Sequence, residues 1–428
     1  MELKKYKLAD IADFNKSSIS KSETFKEIIY LDTSSITENV VSGTVVMNTK
    51  EAPSRAQRKV TNNTIIYSTV RPRLKHYGIL SRPQNNFIIS TGFTTIDIKD
   101  LYKDKIDPRY LYLLLTQPTI TDYIGNIADT AVSAYPSINP SDLSSLCFMF
   151  PDYDIQKTIA DIWNNYDRKI ELNRAINQNL EAMAKQLYDY WFVQFDFPNE
   201  DGKPYKSSGG AMVWNEKLKR RIPEGWNVMS INEICTSCRG VSYGKDDLLS
   251  DSNGVLVLRG NNIENNRIVY DSNVAFVPND FVSEEQHIKE GDIIMTMSSG
   301  SKAHVGKCAM FHKDSEHTFG AFLSKFTPKK ELRYMTFLFL TSEYFKSLIT
   351  AFCNGTGINN LTNQTFDDVL LVLPDKNKTR MFESKVNNLF TMIGNNEENM
   401  RKLTKQRDEL LPLLMNGQVS VNSDLSDD

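Results

Sequence analysis

Two long stretches of the chain carry apolar residues at steps of three and four, a spacing that places them along one side of an α-helix. The first stretch runs from Ile155 to about Phe195 and contains no glycine and no proline. At ~1.5 Å per residue, about 40 residues predict a helix of roughly 60 Å. The apolar stripe, which Asn173 interrupts, consists of Ile159, Ile162, Tyr166, Ile170, Ile176, Leu180, Met183, Leu187 and Tyr190.

The second stretch runs from about Thr379 to Met415. Pro412 and Gly417 are expected to end its helix. Its stripe, broken by the polar residues Asn396 and Arg407, consists of Phe382, Val386, Leu389, Ile393, Met400, Leu403, Leu410 and Leu414.

Apolar stripes of this length call for a partner helix, and the simplest partner for each long helix is the other, packed antiparallel. In that arrangement buried Asn173 and Asn396 would fix the register of the pair. The alternative is that each helix packs only on its own globular half.

The two halves of the chain repeat one another. The segment Tyr135–Asp152 aligns without gaps on Ile358–Asp375, and both end in Pro-Asp before a long helical pattern. Four matches in the same order favour duplication of a whole domain plus helix over chance similarity. The other matches are Tyr6–Ile11 with Trp226–Ile231, Tyr30–Ile36 with Val257–Ile263, and Ile65–Thr69 with Ile293–Met297, a register that also aligns His76 with His304 and Gly78 with Gly306.

These patterns predict an α/β (α+β) chain with a two-fold internal repeat, in which two globular domains are separated by two long helices packed as an antiparallel coiled coil. The linker is predicted from its Gly, Pro and Ser content and the tail from its acidic charge. The predicted segments are a first domain at 1–152, a first long helix at 153–196, a linker at 197–222, a second domain at 223–375, a second long helix at 376–418 and a disordered acidic tail at 419–428.

Composition narrows the class of protein. The sequence is 40% hydrophobic and 24% charged, as in globular proteins. No apolar run approaches the ~20 residues that cross a bilayer, and no apolar signal-peptide core follows the N-terminus. We therefore expect a cytoplasmic protein with no membrane contact, whose five cysteines are free thiols. The net charge of −3 argues against a diffusely basic nucleic-acid coat but leaves room for a local basic groove.

The order of the segments resembles the specificity subunit of type I restriction–modification enzymes. Each globular half is followed by a Pro-Asp step and a long helix, and Ile222-Pro-Glu-Gly-Trp226 opens the second half. The resemblance covers essentially the whole chain, and the architecture supplies most of its specificity because the single motifs are short. The first half departs from the pattern, since it starts at Tyr6 without a Pro-Glu-Gly-Trp equivalent.

The resemblance implies that the globular halves are target-recognition domains, each reading one half of a split site in double-stranded DNA. It implies that two modification (methyltransferase) subunits dock around the helices, with restriction/translocation subunits as further partners. It also implies that this chain is not an enzyme and binds no cofactor or metal. S-adenosylmethionine, ATP and Mg would act on the partner subunits. Two unlike readers at a fixed separation would recognise an asymmetric bipartite site.

The best candidate DNA contacts lie in two matched basic loops, Tyr67–Gly78 and Thr296–Lys307. Arginine pairs bidentately with guanine or grips phosphate, and asparagine reads adenine. The alternative for each residue is a solvated surface charge, or a plain turn for the asparagines. The predicted contacts are Arg55, Arg58, Lys59, Arg71, Arg73, Lys75, His76, Arg259, Asn261, Asn262, Lys302, His304 and Lys307, with Arg239, Lys245, Asn359 and Asn360 as weaker candidates.

Two ligand-binding signals are weaker than their structural alternatives. Gly300–Lys307 resembles a phosphate loop but has one residue too many, and Cys308 stands where a Ser or Thr would bind magnesium. Cys235 and Cys238 would need two further ligands to hold a structural zinc ion.

Two other functions stay open at this stage. One is a protein-interaction scaffold whose globular halves bind proteins. The other is a self-contained nuclease, for which Asp152, Asp167 and Lys169 form only a loose set because the last two lie far along the predicted helix.

Overall fold

The computed structural model describes residues 3–20, 25–130, 135–250, 253–270, 274–353 and 360–418. The chain divides into two compact units, one formed by Met1–Lys169 with Lys402–Asp428 and the other by Ile170–Arg401. Both long helices are therefore shared between units. The acidic tail predicted at 419–428 lies outside the described residues.

The first unit is a mixed helix and strand domain followed by one end of each long helix. Its elements are β1 (Lys4–Lys7), α1 (Leu8–Ile11), β2 (Ala12–Phe14), β3 (Glu27–Leu31), β4 (Ile36–Thr37), β5 (Val40–Val41), β6 (Val45–Asn48), β7 (Ala56–Lys59), β8 (Thr64–Ser68), β9 (Tyr77–Leu80), β10 (Phe87–Ser90), β11 (Phe93–Ile98), α2 (Pro108–Leu115), α3 (Pro118–Asp129), α4 (Pro140–Ser144), β12 (Cys147–Phe150) and the long helix α5 (Tyr153–Tyr188).

Two four-stranded sheets form the centre of this domain. One has the order β2-β11-β8-β9 and is antiparallel, and the other has the order β6-β3-β10-β7 with β3 and β10 parallel. All five residues of β8 are buried. Successive side chains of a strand point to opposite faces, so Ile65 and Tyr67 enter the core shared with α2 and α3 while Ile66 enters a smaller core.

The second unit contains the same kinds of element in the same order. They are β13 (Met212–Asn215), β14 (Arg220–Pro223), β15 (Asn227–Ser230), α6 (Ile231–Ile234), β16 (Cys235–Arg239), β17 (Val255–Leu258), β18 (Ile263–Glu264), β19 (Arg267–Ile268), β20 (Ala275–Val277), β21 (Ile293–Thr296), β22 (Cys308–Met310), β23 (Thr318–Phe319), β24 (Leu323–Pro328), α7 (Arg333–Leu340), α8 (Glu343–Cys353), β25 (Leu370–Leu373) and the long helix α9 (Lys376–Met415).

The sheet topology of the second unit repeats that of the first. Its antiparallel sheet has the order β16-β24-β21-β22, which corresponds to β2-β11-β8-β9, and its second sheet, β20-β17-β23, corresponds to β6-β3-β10. The strands β17 and β23 are parallel, as β3 and β10 are. The pair β15–β25 likewise corresponds to β1–β12.

One partly buried polar pair has its two residue types exchanged between the repeats. In the first unit the hydroxyl of Thr64 on β8 donates a hydrogen bond to Asp97 on β11. In the second unit Asp292, just before β21, accepts the equivalent bond from Thr327 on β24. The buried member of each pair, Thr64 or Asp292, keeps its hydrogen-bond partner, as burial of a polar group requires.

Backbone hydrogen bonds correct one of the predicted alignments. The amide of Leu8 donates to the carbonyl of Leu146, and the amide of Ile231 donates to that of Val369. Leu8 therefore corresponds to Ile231, three positions away from the sequence match that paired Ile11 with this residue. The sequence match was wrong by three residues because apolar residues recur in both segments and fit either alignment.

In the second unit the two long helices contact each other in antiparallel order. The side-chain amide of Asn396 donates to Asn177 Oδ1 at 2.8 Å, and Asn177 Nδ2 donates to the Ile393 carbonyl at 3.2 Å. Further along, the ring of Phe382 packs on Phe192, with centroids 4.7 Å apart. The chain order rises on one helix as it falls on the other, so these helix segments run antiparallel.

The buried asparagine of α5 is Asn177, not Asn173 as the sequence suggested. Asn177 is fully buried, whereas Asn173 is half-buried. Two predicted stripe residues, Ile176 and Met183, are exposed. The stripe turns on the helix surface because 3.6 residues per turn do not match a strict repeat of three and four.

In the first unit the other ends of the two helices also contact each other. Arg407 donates to Asp167 at 3.2 Å. Leu414 joins the core that contains Ile159 and Trp163. The order is again antiparallel. No helix in the described ranges is long and apolar enough to cross a bilayer.

Pro412 lies inside α9, which continues to Met415, so the prediction that it ends the helix is wrong. Gly417 follows with φ +67°, a left-handed conformation common just after helix ends.

The segment predicted as a linker is folded in the second unit. Strands β13 and β14 form a hairpin, and Phe197 stacks between Tyr205 and Trp226 with centroid distances of 4.6 and 4.7 Å. The Gly, Pro and Ser content of this segment predicted turns, and the aromatic residues that pack within the unit were not recognised in the sequence.

We expect Asn177→Ala to lower the free energy of unfolding by about 1–3 kcal/mol, because Asn396 and the Ile393 carbonyl lose their partner. Denaturant unfolding of the chain measures this change. The control is Met183→Ala on the same helix, which removes an exposed side chain and is expected to cost less than about 0.5 kcal/mol. Equal effects of the two substitutions would contradict the assigned role of Asn177.

Candidate nucleic-acid interface

In the first unit, the loops that follow β3, β8 and β10 meet at one edge of the domain. Both the amide and the hydroxyl of Thr69 donate to the Gly92 carbonyl at 2.9 Å. A Cβ on Gly92 would lie 2.8 Å from the methyl group of Thr33, which follows β3. The three loops are thus packed against one another with little freedom.

Arg71 is an exposed cation at this edge. Its backbone is left-handed, with φ 48° and ψ 61°, and its amide donates to the Pro136 carbonyl at 2.8 Å. Its guanidinium lies 4.8 Å from the centre of the exposed Tyr135 ring. A non-glycine residue in this conformation carries strain of the kind found at functional sites, and the tyrosine ring lies within range of a cation–π contact with the guanidinium.

Arg73 instead fastens the loop to helix α3. It donates to Asn126 at 2.7 Å and forms ion pairs with Asp129 at 3.1 Å and Asp122 at 3.3 Å. A Cβ on Gly125 would lie 2.7 Å from the guanidinium carbon, so the glycine lets the arginine lie flat on the helix. The structure therefore gives Arg73 an anchoring role.

Lys75 and His76 are held by the β4–β5 hairpin. Lys75 forms an ion pair with Glu38 at 2.5 Å, and His76 Nδ1 lies 2.7 Å from the Ile36 carbonyl oxygen. Glu38 and Asn39 both have positive φ, as a two-residue hairpin turn requires. Asn39 in turn donates to Asp167 of the long helix at 3.3 Å. Arg73, Lys75 and His76 thus bond through their polar side-chain groups to other parts of the protein, whereas Arg71 contacts a tyrosine ring.

Arg55, Arg58 and Lys59 form the second predicted basic cluster of this half, and their positions before and within β7 give them different environments. Arg55 is exposed and belongs to the same edge as Arg71, because its carbonyl accepts from Thr91, next to Gly92. Arg58 lies within β7, where its Nε is buried without a hydrogen-bond partner and burial lowers the pKa of its guanidinium. Lys59 is half-buried at the end of β7, and its amide donates to the Ser17 carbonyl.

The second unit has an equivalent edge. The amides of Met297 and Ser298, after β21, donate to the Phe322 carbonyl at 2.9 and 3.3 Å. Arg239 at the end of β16 donates from Nε to the Ala321 carbonyl at 3.3 Å. A Cβ on Gly260, after β17, would lie 3.6 Å from Oγ1 of Thr296. Loops after four strands therefore meet here.

Arg259 and Asn262 have different roles at this edge. Arg259 donates from Nε to the Tyr243 hydroxyl at 2.9 Å and lies over that ring. Asn262 is buried, accepts from the Arg259 amide and donates to the Val269 carbonyl, both at 2.9 Å. Asn262 thus shapes a turn, the alternative interpretation of the asparagine run, while its neighbour Asn261 is exposed.

The basic loop of the second unit is longer than its counterpart. The amide of Ser68 donates to the carbonyl of His76, and that of Thr296 donates to Lys307. The chain therefore takes eight residues to return in the first unit and eleven in the second. Lys307, not His304, occupies the position of His76, so the predicted histidine match is wrong.

The basic residues of this longer loop lie at the surface. Lys302 and His304 are exposed in a short 3-10 turn, and Lys307 Nζ lies 3.2 Å from His304 Nδ1. Of the weaker candidates, Lys245 is exposed and Asn360 pairs with Ser298 in a β-bridge, while Asn359 lies outside the described residues.

The sequence did not reveal the aromatic residues of these edges. Tyr135 and Tyr243 lie beside Arg71 and Arg259 respectively, and Phe322 directly follows Ala321, whose carbonyl accepts from Arg239. Each ring is distant in sequence from its arginine. By contrast Tyr77, which the sequence placed in the basic loop, is buried against Tyr67 with ring centroids 5.4 Å apart. Cross-loop contacts of this kind become visible only when the strand order is known.

Arginine beside an aromatic ring suits the binding of nucleic acid, since the guanidinium contacts phosphate or base edges and the ring packs on bases. Within the described ranges, no three His, Cys, Asp or Glu side chains converge as metal ligands would. Burial raises the pKa values of Cys235 and Cys308 to about 12, which disfavours the thiolate form that binds zinc.

Comparison with known proteins places this duplicated arrangement in a family. The model of the type I restriction modification DNA specificity domain matches residues 1–182 and again residues 223–391. The HindI specificity subunit of Haemophilus influenzae is 25% identical, covering 97% of this chain and 99% of its own. The EcoKI specificity subunit of Escherichia coli is 31% identical over 46% of this chain and 41% of its own.

A solved structure supports the fold. The S subunit of a type I restriction-modification system from M. genitalium is 15% identical, with a TM-score of 0.54 over 97% of this chain and 96% of that one. The family model matches each repeat separately, in agreement with the repeated topology. This chain belongs to the type I restriction–modification DNA specificity family.

Proposed function

We propose that this chain is the DNA-recognition subunit of a type I restriction–modification complex, in which each unit reads one half of a bipartite site. The observation that carries the proposal is the duplicated loop edge. Each edge is built from loops after equivalent strands. The first presents exposed Arg71 beside Tyr135, and the second presents exposed Arg239 together with half-buried Arg259 beside Tyr243. Such an edge can both position the DNA backbone and read base edges.

The two edges carry different side chains on the same framework. Arg71 and Tyr135 belong to the first, whereas Arg239, Arg259 and a basic loop three residues longer belong to the second. Base readout depends on the donor and acceptor groups presented to the groove. The two half-sites are therefore expected to differ, and the complete site to be asymmetric.

The long helices supply the separation between the two readers in this proposal. Polar contacts between them, Asp167 with Arg407 and Asn177 with Asn396, recur along both helices within the separate units. Buried polar pairs fix the register of antiparallel helices. A continuous antiparallel coiled coil would hold the gap between half-sites at one length.

Catalysis belongs to partner subunits in this proposal. Two modification subunits would dock on the chain and methylate DNA with S-adenosylmethionine, and restriction subunits would cleave it with ATP and Mg. The chain itself contributes binding and positioning. A relative of known structure carries the description of complex assembly of a type I R-M system, which is consistent with a partner-dependent role.

The proposal is tested by methylome sequencing of a host that carries this chain with its modification subunit, followed by binding of the purified complex to the methylated site. Binding should weaken by at least about 100-fold between ~50 and ~200 mM salt, because phosphate contacts release counterions. A scaffold that binds only proteins would give no modified motif and no salt-dependent binding to DNA.

Arg71→Ala is expected to weaken binding of the complex to its site by about 5- to 150-fold, since one contact to a base or phosphate contributes about 1–3 kcal/mol. The thermal stability of the chain should change little because Arg71 is exposed. Equilibrium binding and thermal unfolding of the same preparation measure both quantities.

Arg73→Ala is the matched control in the same loop. It removes the ion pairs with α3 and is expected to lower the unfolding temperature, while Arg73→Lys should restore part of the loss. If Arg73→Ala reduced DNA affinity more than Arg71→Ala at unchanged stability, the division of roles within this loop would be wrong.

Removal or insertion of matched helical turns tests the spacer. Whole turns inserted within 170–187 and 393–410 should change the gap between the half-sites and leave the recognised bases unchanged. Methylome sequencing of the variant gives both results at once. Altered bases with an unchanged gap would refute the spacer role of the helices.

A further inference from the structure

Phe322 is the most unusual side chain on the loop edge of the second unit. Its ring is 69% exposed, although it follows β23 in a part of the domain where the adjacent Phe319 and Leu323 are fully buried. None of the hydrophobic clusters found in the described ranges includes it. An exposed apolar ring of this size forgoes about 1.5–3 kcal/mol of burial, which calls for a partner.

The backbone around Phe322 is held rigidly. Its carbonyl accepts from Met297 and Ser298, and the preceding Gly320 donates to the Leu258 carbonyl at 2.9 Å. A Cβ on Gly240 would lie 2.2 Å from the Gly320 carbonyl oxygen, so the two chains touch directly. The ring therefore projects from an anchored loop, and it cannot fold back into the core without breaking these bonds.

The surroundings of the ring favour a nucleic acid as its partner. Arg239 is bonded to the carbonyl of the residue before it, and Ser298, whose amide is bonded to Phe322 itself, pairs with Asn360. Phe322 is thus next in the chain to a residue bonded to a guanidinium, and its own backbone is bonded to a segment that pairs with Asn360. Base-contacting rings are commonly accompanied by phosphate-binding cations, and Arg239 supplies such a group at this edge.

The first unit has no side chain to match. In the equivalent loop the carbonyl of Gly92 accepts a hydrogen bond from the amide of Thr69, as the carbonyl of Phe322 accepts one from the amide of Met297. A Cβ at Gly92 would lie 2.8 Å from Thr33, so this loop excludes a ring. A ring at this loop position is therefore specific to the second unit, whereas the exposed ring of the first edge, Tyr135, lies in a different loop.

We propose that Phe322 makes an apolar contact with bases of one half-site and thereby determines specificity in the second unit alone. This inference rests on the proposed DNA-recognition function. The ring would act either on a thymine methyl group at the base edge or by insertion at a base step, both of which are known uses of phenylalanine on duplex DNA.

The test compares the complete complex carrying wild-type chain, Phe322→Ala or Leu101→Ala. Leu101 is the control because it is 73% exposed in the first unit and follows β11, which runs antiparallel to β8 and so ends at the opposite edge. The probes are the duplex modified in the host and a scrambled duplex. Thermal unfolding should be unchanged in both variants.

Phe322→Ala should weaken binding to the modified duplex by about 5- to 50-fold and leave scrambled DNA within about twofold. Methylome sequencing should show relaxed bases in one half-site, with the other half-site and the gap intact. Uracil in place of thymine should reproduce the loss if the ring contacts a methyl group, and 2-aminopurine should brighten on binding if the ring inserts.

Two results would overturn the inference. One is Phe322→Ala binding like wild type, as Leu101→Ala should. The other is an equal loss on modified and scrambled duplexes. If wild-type complex itself showed no preference for the modified duplex, the proposed function would fail along with the inference, and that outcome is distinct because it precedes any substitution.

Discussion

Each long helix carries an apolar stripe that must be kept from water, and within each unit residues of both long helices join one apolar core with the globular domain. In the second unit Phe382 packs on Phe192, just after the end of α5. Asn177 uses both polar atoms of its side chain in hydrogen bonds to α9. In the first unit Leu414 enters a domain core beside Trp163. The buried asparagine cannot shift by a residue without losing its partners, so helix packing fixes a register as well as burying apolar area.

Duplication on this framework keeps the fold and lets the edges diverge. The Thr64–Asp97 pair and the reversed Asp292–Thr327 pair fill the same place in two cores, since either orientation satisfies the carboxylate. Loops are under weaker constraint. The basic loop after β21 is three residues longer than the loop after β8, and Phe322 stands where Gly92 lies in the first unit. A family of readers with different specificities can arise in this way from one scaffold.

The sequence predicted the long helices, the duplication and the matched loops, because helical periodicity and repeat order are local signals. It failed where the outcome depended on neighbours distant in sequence. Arg73 has the composition of a DNA contact, yet the acidic face of α3 binds it. Asn262 was predicted to contact DNA, but its side chain instead closes a turn. Tyr135 and Phe322 carried no sequence signal, since their meaning comes from the arginines that the strand order places beside them.

The central claim is that the two loop edges face different half-sites of one DNA molecule. A photo-crosslinking amino acid placed at Tyr135 or at Phe322, both exposed, tests it most directly when the assembled complex is irradiated on its modified duplex. The account predicts one crosslinked nucleotide cluster for each position, located in opposite half-sites and separated by the unread gap. Crosslinks from both positions within the same half-site would contradict it.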